Sequence, residues 1–401
     1  MARAANEVSS QLSIESNDIF ERNGYCLIKS RAQYIQNPAQ VVRIAINMPT
    51  GSFVYDQPAS RVIFGAGSLN RVAEEVNKLG ATRAIVLSTP EQLGQASDVA
   101  QRLGALAAGV YPEAVMHVPI ETARAAREEA RRLQADCCVA VGGGSTIGLG
   151  KAIALESSLP ILAIPTTYAG SEMTPIYGLT EAGVKKTGRD RRVLPKTVIY
   201  DPELTLTLPA GISGTSAMNA IAHCVEALYA YDGNPIISLM AAEGIRALSR
   251  SAPLVVNEPG NLAARADALY GAWLAGTALG AAAMGVHHKL CHTLGGTFNL
   301  PHAEVHTVIL PHATAFNRDA APEAMRAIAE ALGARDAAAG IYDLAVRLHA
   351  PVSLRELGMP QTGIEQAARL ATQAPYRNPR EVEYDGIVKL LSNAWHGVRP
   401  A

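Results

Sequence analysis

The sequence predicts an α/β domain followed by an all-helical domain, and three features of the chain lead to this fold class. Between residues 49 and 208, short apolar segments alternate with amphipathic ones, which is typical of a parallel sheet covered by helices. Over residues 209–401 strand-like segments largely stop, and alanine-rich segments punctuated by prolines predict helices. Residues 1–48 are polar and mixed in charge, so we expect them to be an exposed or poorly ordered appendage.

The predicted elements follow one another in a regular order. Two short strands, FVYD and RVIF, lead into a helix over Ser68–Leu79. A strand in ATRAIVLST, a helical segment ending near Leu106, a strand in MHVPI and a charged helix over 121–134 come next. The apolar segments CCVAV, ILAIP and TVIY complete the predicted sheet before Pro209.

Composition narrows the function classes. The chain of 401 residues has a formal net charge of −1, with 18% charged and 48% hydrophobic residues, which argues against a nucleic-acid partner. Its five cysteines include no CxxC pair, so a reducing compartment fits best. No apolar run reaches the roughly 18 residues that a membrane span requires. We therefore expect a cytoplasmic protein with no membrane partner.

A run of three glycines follows the strand predicted in CCVAV. Without side chains, a backbone can approach a pyrophosphate closely, and the N–H groups at the start of the next helix, predicted over Thr146–Leu155, attract anions. The GxGxxG pattern with an acidic residue about 20 positions later is missing from this turn, so the standard Rossmann assignment fails. A tight turn without a ligand is the alternative. Thr166 and Thr167, which follow the next strand, offer hydroxyls to the same ligand and favour a dinucleotide site.

Several motifs occur in the order found in iron-containing alcohol dehydrogenases, and the chain resembles that family from about Phe53 to its C-terminus. These motifs are GGGST, IPTTYAGSEMT, VIYDPELTLTLP, AMNAIAHCVEAL and GVHHKLCHTLGGTFNLPH. The resemblance implies a dehydroquinate synthase-like fold, in which an α/β dinucleotide-binding domain precedes a helical domain and the substrate lies in the cleft between them. It also implies a homodimer.

The resemblance implies NADH or NADPH as the cofactor. The residues expected to bind it are Gly142, Gly143, Gly144, Ser145, Thr166, Thr167 and Tyr168. Thr89 stands where many family members have an aspartate that binds the ribose. Because an uncharged residue neither requires the 2′-hydroxyl nor repels a 2′-phosphate, we expect both nucleotides to be accepted.

Histidines are concentrated in two motifs of the helical half. Asn219 and His223 lie four residues apart on one predicted helix and share a face, and His288 and His292 repeat that spacing. His302 follows in a Pro–His turn. A single buried histidine is more often a hydrogen-bonded core residue than a catalyst, but this concentration of histidines favours a site.

Metal-dependent members of the family bind a divalent ion through one aspartate and three histidines. The matching positions here are Asn219, His223, His288 and His302. An amide oxygen is a poor ligand for Fe²⁺ or Zn²⁺, so we expect catalysis without a metal, although three histidines can still bind zinc.

Further departures from the family pattern indicate a particular reaction. Gly148 replaces an aspartate, the segment after Pro165 is one residue shorter than usual, and His287 and Lys289 add positive character. These changes are typical of members that reduce the carbon–carbon double bond of an unsaturated oxo-dicarboxylate during the degradation of aromatic compounds. Hydride addition to such an alkene gives an enolate, which needs electrostatic stabilisation and then a proton.

The resemblance also suggests roles for single residues. We expect His223, His288 and His302 to bind the substrate or stabilise the enolate, and His292 to donate the proton, with His302 as the other candidate donor. The candidates for contacting the dicarboxylate substrate are Asn219, His287, Lys289 and Lys185. Two other functions stay open: a metal-dependent alcohol dehydrogenase or aldehyde reductase of the same family, and a nucleotide-binding protein without activity.

Overall fold

The structure is a computed structural model that describes residues 55, 60–181 and 184–401. Eight strands are present in these ranges. They are β1 Arg61–Phe64, β2 Ala84–Leu87, β3 Ala107–Tyr111, β4 Cys137–Gly142, β5 Ile161–Pro165, β6 Ile176–Glu181, β7 Val184–Arg189 and β8 Thr197–Tyr200. Six of them form a parallel sheet in the order β1-β8-β5-β4-β2-β3, and β6 pairs with β7 in an antiparallel hairpin.

Thirteen α-helices occur in the described ranges, four of them among the strands and nine after the last strand. The first four are α1 Val72–Lys78, α2 Leu93–Leu103, α3 Ile120–Arg132 and α4 Gly144–Ser157. The other nine are α5 Ala210–Leu228, α6 Pro235–Asn257, α7 Leu262–Ala281, α8 Val286–Phe298, α9 His302–Asn317, α10 Pro322–Leu332, α11 Ala337–Arg347, α12 Gly363–Thr372 and α13 Tyr384–His396. The predicted fold class is confirmed.

The middle of the sheet is built from continuous apolar segments. Every residue of β2, β4 and β5 is buried. Parallel strands that are covered on both faces by helices need apolar side chains on both faces, which is why these segments do not alternate with polar residues. Their carboxyl ends therefore lie side by side, and β4 ends in the glycine turn.

The structure corrects one predicted strand and adds strands that the sequence did not predict. The segment MHVPI is a turn rather than a strand, with positive φ at His117 and Val118, and the edge strand is β3 instead. The alanines and glycine of β3 are weak strand formers, so its sequence contained no strand signal, whereas pairing with β2 decides its conformation. The hairpin of β6 and β7 was not predicted. The appendage 1–48 and most of FVYD lie outside the described residues, and the domain boundary at residue 208 stays a prediction.

A buried arginine in the helical half forms hydrogen bonds with the loop after β5 and with the start of α5. Arg265 of α7 is fully buried and donates hydrogen bonds to the carbonyl oxygen of Leu208, the hydroxyl of Ser213 and the hydroxyl of Tyr168. These partners belong to the segment before α5, to α5 itself and to the loop after β5. One side chain thus joins three segments that border the site.

Within the described ranges no single helix is long and apolar enough to cross a membrane. Helices α7 and α8 reach that length and apolarity only when they are taken together, and the chain bends by 96° between them.

Candidate active site

The glycine turn lies where β4 ends and α4 begins. Gly142 has a φ of 153°, and a Cβ built on it would lie 2.5 Å from the hydroxyl of Thr146, so a side chain does not fit there. Gly143, Gly144 and Ser145 are partly or fully exposed. Gly143 is the N-cap residue of α4, and no side chain caps this end of the helix. Exposed N–H groups at a helix start are suited to binding a phosphate.

The loop after β5 packs against this turn, as the sequence predicts. The backbone N–H of Thr166 donates to the carbonyl oxygen of Gly142 at 3.2 Å, and a Cβ on Gly143 would lie 2.9 Å from the Cγ2 of Thr167. Tyr168 is fully buried, with its N–H bonded to Ser216 and its hydroxyl to Arg265. The two threonines thus lie beside the turn, whereas the buried Tyr168 connects the loop to the helical half through Ser216 and Arg265.

The far end of the same loop lies beside His223 of the helical half. Gly170 has a φ of 79°, and a Cβ on it would lie 3.6 Å from Nδ1 of His223. Lys151 of α4 is buried beneath the loop and donates to the carbonyl oxygens of Ser171, Thr174 and Ile176 at 2.7–2.9 Å. Burial lowers the pKa of Lys151 to about 7. This side chain holds the loop in place between the glycine turn and the histidines.

Six histidines from three helices form one cluster. They are His223 on α5, His287, His288 and His292 on α8, and His302 and His306 on α9. Ring centroids of neighbouring members lie 4.4–6.3 Å apart, and two pairs are stacked: His223 with His288, and His292 with His302. The sequence prediction that five of these histidines converge agrees with this arrangement.

The cluster runs from solvent into the protein. His292 is exposed and His302 is partly buried, whereas His223, His287, His288 and His306 are buried. Burial, reinforced by the neighbouring imidazoles, lowers the pKa of His223, His287 and His306 well below the usual 6.5. These three histidines are therefore neutral at pH 7, and the exposed His292 is in the best position to exchange protons with solvent.

Two buried residues of the cluster were missed by the sequence prediction. Glu226 is fully buried and accepts a hydrogen bond from Nδ1 of His288 at 2.5 Å. His306 is also fully buried, and its Nδ1 lies 2.9 Å from Nε2 of His287. Both carry a sequence signal, because Glu226 lies three residues after His223 and His306 lies four residues after His302, on the same helix faces.

The predicted substrate-binding residues are found in different environments. Asn219 is buried beside the cluster, and its Oδ1 has no hydrogen-bond partner among the residues that the structure describes. His287 is fully buried and its Nε2 is hydrogen-bonded to Nδ1 of His306, so it lies deeper in the protein than His288. Lys289 is partly buried, with Nζ 5.9 Å from the ring centroid of Tyr376. The backbone of Lys185 lies in β7, and its side chain is outside the described part.

Two other predicted positions have clear surroundings. Thr89 lies two residues after the end of β2 and is partly exposed. It is therefore at the carboxyl ends of the strands, where the glycine turn also lies. At Gly148 a Cβ would lie 2.8 Å from the Cγ2 of Val118, so the aspartate usual in the family does not fit unless Val118 moves. Val118 belongs to the turn that replaces the predicted MHVPI strand.

An open cavity of about 590 Å³ lies at the start of α8. It is lined by residues from four segments, among them Tyr231, Gly285, Tyr376, Arg377 and Asn378. The six histidines are not among its lining residues, so the cavity is separate from the cluster.

The sheet order, the glycine turn and the histidine cluster define a class of protein, and the chain belongs to the iron-containing alcohol dehydrogenase family. Residues 59–202 match the family's model for iron-containing alcohol dehydrogenase, and residues 213–395 match its model for the C-terminal part of the Fe-containing alcohol dehydrogenases. The protein is therefore an oxidoreductase of a nicotinamide-dependent family.

Within this family the chain is similar to maleylacetate reductases. It is 62% identical to the maleylacetate reductase of Burkholderia cepacia and 60% identical to that of Sphingobium indicum, over 87% of this chain and 99% of each relative. The crystal structure of maleylacetate reductase from Agrobacterium tumefaciens superposes with a TM-score of 0.85 at 54% identity, covering 87% of this chain and 100% of that one. The resemblance inferred from the motifs is confirmed.

The expectation of a metal-free site is not supported. The family is named for iron, and ligand atoms of His287, Cys291 and His306, all buried, lie within 4.8 Å of one another. The Sγ of Cys291 is 3.6 Å from Nε2 of His287, a separation suited to two ligands of one zinc ion. Nε2 of His288 and Oδ1 of Asn219 are further buried atoms that could bind a metal ion, and neither has a hydrogen-bond partner within the described ranges. The residues present are therefore compatible with a divalent ion.

Proposed function

We propose that the protein reduces the carbon–carbon double bond of maleylacetate to give 3-oxoadipate, with NADH or NADPH as the hydride donor, in the degradation of aromatic compounds. The observation that carries this proposal is the loop after β5, which contacts the glycine turn through Thr167 and the histidine cluster through Gly170. A nucleotide bound at the turn would thus have its reactive end directed towards the histidines. The names of the relatives support maleylacetate as the substrate.

The reaction can be written from the chemistry of the substrate. A hydride with its electron pair leaves the nicotinamide and adds to the alkene carbon that is β to the ketone, and the alkene electrons move onto the ketone oxygen as an enolate. Protonation of the carbon α to the ketone then restores the carbonyl group and gives the saturated product and NAD(P)⁺. The protein must therefore stabilise one negative charge and deliver one proton.

The cluster offers residues for both tasks. His223 lies beside the loop after β5 and stacks on His288. We propose that these two residues and His302 bind the substrate or stabilise the enolate oxygen. His292 is exposed and stacked on His302, so it can donate the proton and regain one from solvent. His302 remains the other candidate donor. Lys289 and Lys185 would contact the substrate carboxylates, and Asn219 would present its amide to the substrate.

A divalent ion would change how the negative charge of the enolate is stabilised. If bound by His223, His288 and His302, or by His287, Cys291 and His306, it would supply Lewis-acid stabilisation of the developing negative charge. The proton transfer and the orientation of the substrate would still fall to the protein side chains.

The family also contains metal-dependent alcohol dehydrogenases, and the His287–Cys291–His306 group favours that second candidate function. The two candidates are separated by measuring NADH oxidation with fresh maleylacetate and with a simple aldehyde, before and after exhaustive chelation. We expect turnover of maleylacetate and none of the aldehyde. Turnover of the aldehyde alone, lost on chelation and restored by Fe²⁺ or Zn²⁺, would instead establish the alcohol dehydrogenase. Absence of both activities, with NADH still bound, would favour a nucleotide-binding protein.

We also propose that the enzyme is a cytoplasmic homodimer. One support is Phe64 on β1, the outermost described strand of the large sheet, which is 39% exposed beside Tyr200 and Trp273. Exposed apolar side chains often mark contacts between proteins. Light scattering coupled to gel filtration would measure the mass in solution, and a monomer at micromolar concentration would contradict the proposal.

A further inference from the structure

Glu226 is a fully buried carboxylate that contacts the histidine cluster with both of its oxygens. Its Oε1 accepts a hydrogen bond from the backbone N–H of His287 at 3.0 Å. Its Oε2 accepts one from Nδ1 of His288 at 2.5 Å and lies 3.4 Å from the backbone N–H of the same residue. The carboxylate thus caps the N-terminus of α8 and binds a side chain of the cluster at the same time.

This arrangement determines which nitrogen of His288 carries a proton. Both oxygens of Glu226 face N–H donors at the start of α8, and an ionised carboxylate can only accept hydrogen bonds. The proton shared with His288 therefore belongs to Nδ1. The other nitrogen, Nε2, is buried on the opposite side of the ring and has no hydrogen-bond partner in the described part of the chain.

The orientation of the ring is fixed by the same contacts. His288 is 7% exposed and lies between the stacked ring of His223, at a centroid distance of 5.2 Å, and the edge-on ring of His306, at 4.9 Å. Neither ring makes a hydrogen bond with Nε2. Glu226 is therefore the polar partner that holds His288 in this plane.

We propose that Glu226 is a positioning residue that holds His288 as the Nδ1–H tautomer, with Nε2 presented to the substrate. The inference rests on the proposed function, since it assigns His288 a contact with the substrate. If His288 instead held a divalent ion, the same tautomer would present Nε2 to that ion, so the orienting role of Glu226 would be unchanged. Partners of this kind behind a working histidine typically affect activity by about 10- to 100-fold.

Replacing Glu226 by glutamine separates this role from the capping of α8. A glutamine has nearly the same shape, and its amide oxygen can still accept the hydrogen bond from the N–H of His287. Its NH₂ group then faces Nδ1 of His288 and donates to it, so Nδ1 must accept and the ring proton moves to Nε2. The cap on the N–H of His287 is kept, only the longer 3.4 Å contact with the backbone N–H of His288 is lost, and the tautomer is reversed.

The tautomer is measured directly by ¹⁵N NMR of protein labelled in histidine, with the His288 signal assigned by its loss in a His288→Asn variant. We expect Nδ1–H in the wild-type protein and Nε2–H in Glu226→Gln. We also expect kcat with maleylacetate to fall about 10- to 100-fold in Glu226→Gln, with KM for NADH and the unfolding temperature nearly unchanged. Glu75→Gln is the matched control, because Glu75 is equally buried but lies in α1 among Arg61 and Lys78.

The outcomes distinguish this proposal from the proposed function. An Nε2–H tautomer in the wild-type protein, or wild-type turnover by Glu226→Gln, would overturn the positioning role. If the variant did not fold, the wild-type spectrum alone would decide. If neither protein reduced maleylacetate while the tautomer reversed as expected, the proposed substrate would be wrong and the positioning of His288 would stand.

Discussion

Gly170 and Gly276 are in direct backbone contact, and this contact sets the distance between the cofactor loop and the helical half. A Cβ built on Gly276 would lie 2.6 Å from the carbonyl oxygen of Gly170 and 2.9 Å from its Cα. No side chain fits in that space. The loop that begins beside the glycine turn can therefore reach His223 only because α7 has a glycine at this position.

The first prediction concerns this contact. Gly276→Ala should push the loop after β5 away from α7, lower the free energy of unfolding by about 1–3 kcal/mol and reduce kcat more than it raises KM for NADH. Chemical denaturation and steady-state kinetics measure the two effects. Gly211→Ala in α5 is the control, since a Cβ there meets no atom within 4 Å and should be neutral or slightly stabilising. If the two variants had the same free energy of unfolding and the same kcat, the space between Gly276 and Gly170 would accommodate a methyl group and the prediction would be wrong.

The second prediction concerns Asn219. Its buried Oδ1 has no partner in the described ranges. Asn219→Asp would place a carboxylate at the position where the family resemblance implies an aspartate in metal-dependent members. We expect this variant to retain more Fe²⁺ or Zn²⁺ after reconstitution and dialysis, because a carboxylate is a far better ligand than an amide. Metal content by mass spectrometry is the readout. Asn299→Asp, an exposed change on the same protein, is the control, and an unchanged metal content in Asn219→Asp would contradict the prediction.

The third prediction concerns the choice between NADH and NADPH. Glu91 is exposed two residues after Thr89, and hydrogen bonds from its own backbone N–H and from the Thr89 hydroxyl hold its pKa below the usual value. The family resemblance implies that Thr89 lies at the ribose end of the cofactor site, and a carboxylate close to it would repel a 2′-phosphate. Glu91→Gln should therefore raise kcat/KM for NADPH roughly threefold or more while leaving that for NADH nearly constant. If the ratio of kcat/KM for NADPH to kcat/KM for NADH were the same in Glu91→Gln and the wild-type protein, Glu91 would lie too far from the ribose to affect the choice.

The fourth prediction concerns acid stability. Burial lowers the pKa of His312 to about 4, compared with 6.5 for an exposed histidine. Between these two values the unfolded chain binds more protons than the folded one, so stability is lost as the pH falls from 6.5 towards 4. His312 alone should contribute up to about 3 kcal/mol to this loss, and the buried His223, His287 and His306 act in the same direction.

Denaturant unfolding at pH 7 and at pH 4.5 tests this prediction. His312→Gln should lose less stability between the two conditions than the wild-type protein. The exposed His396→Gln should behave like the wild-type protein. An equal loss in all three proteins would mean that His312 does not titrate in this range.

The sequence predicted the glycine turn and the histidine motifs because both follow from local rules. Three glycines after a buried strand and histidines four residues apart on a helix are visible without any tertiary contact. Glu226 and His306 carried the same helical spacing, yet their importance depends on which helices face each other. Their contacts with His288 and His287 join residues 62 and 19 positions apart, respectively.

By itself, the sequence determined the family, the α/β-then-helical order and the residue types of the site, since these depend on apolar periodicity and on motifs read along the chain. Only the tertiary structure decided that β3 rather than MHVPI forms the sheet edge, that Tyr168 is buried, and that Glu226 faces His288. The physical reason is that strand pairing, burial and hydrogen-bond geometry depend on neighbours brought together by folding. A residue's own sequence surroundings do not specify them.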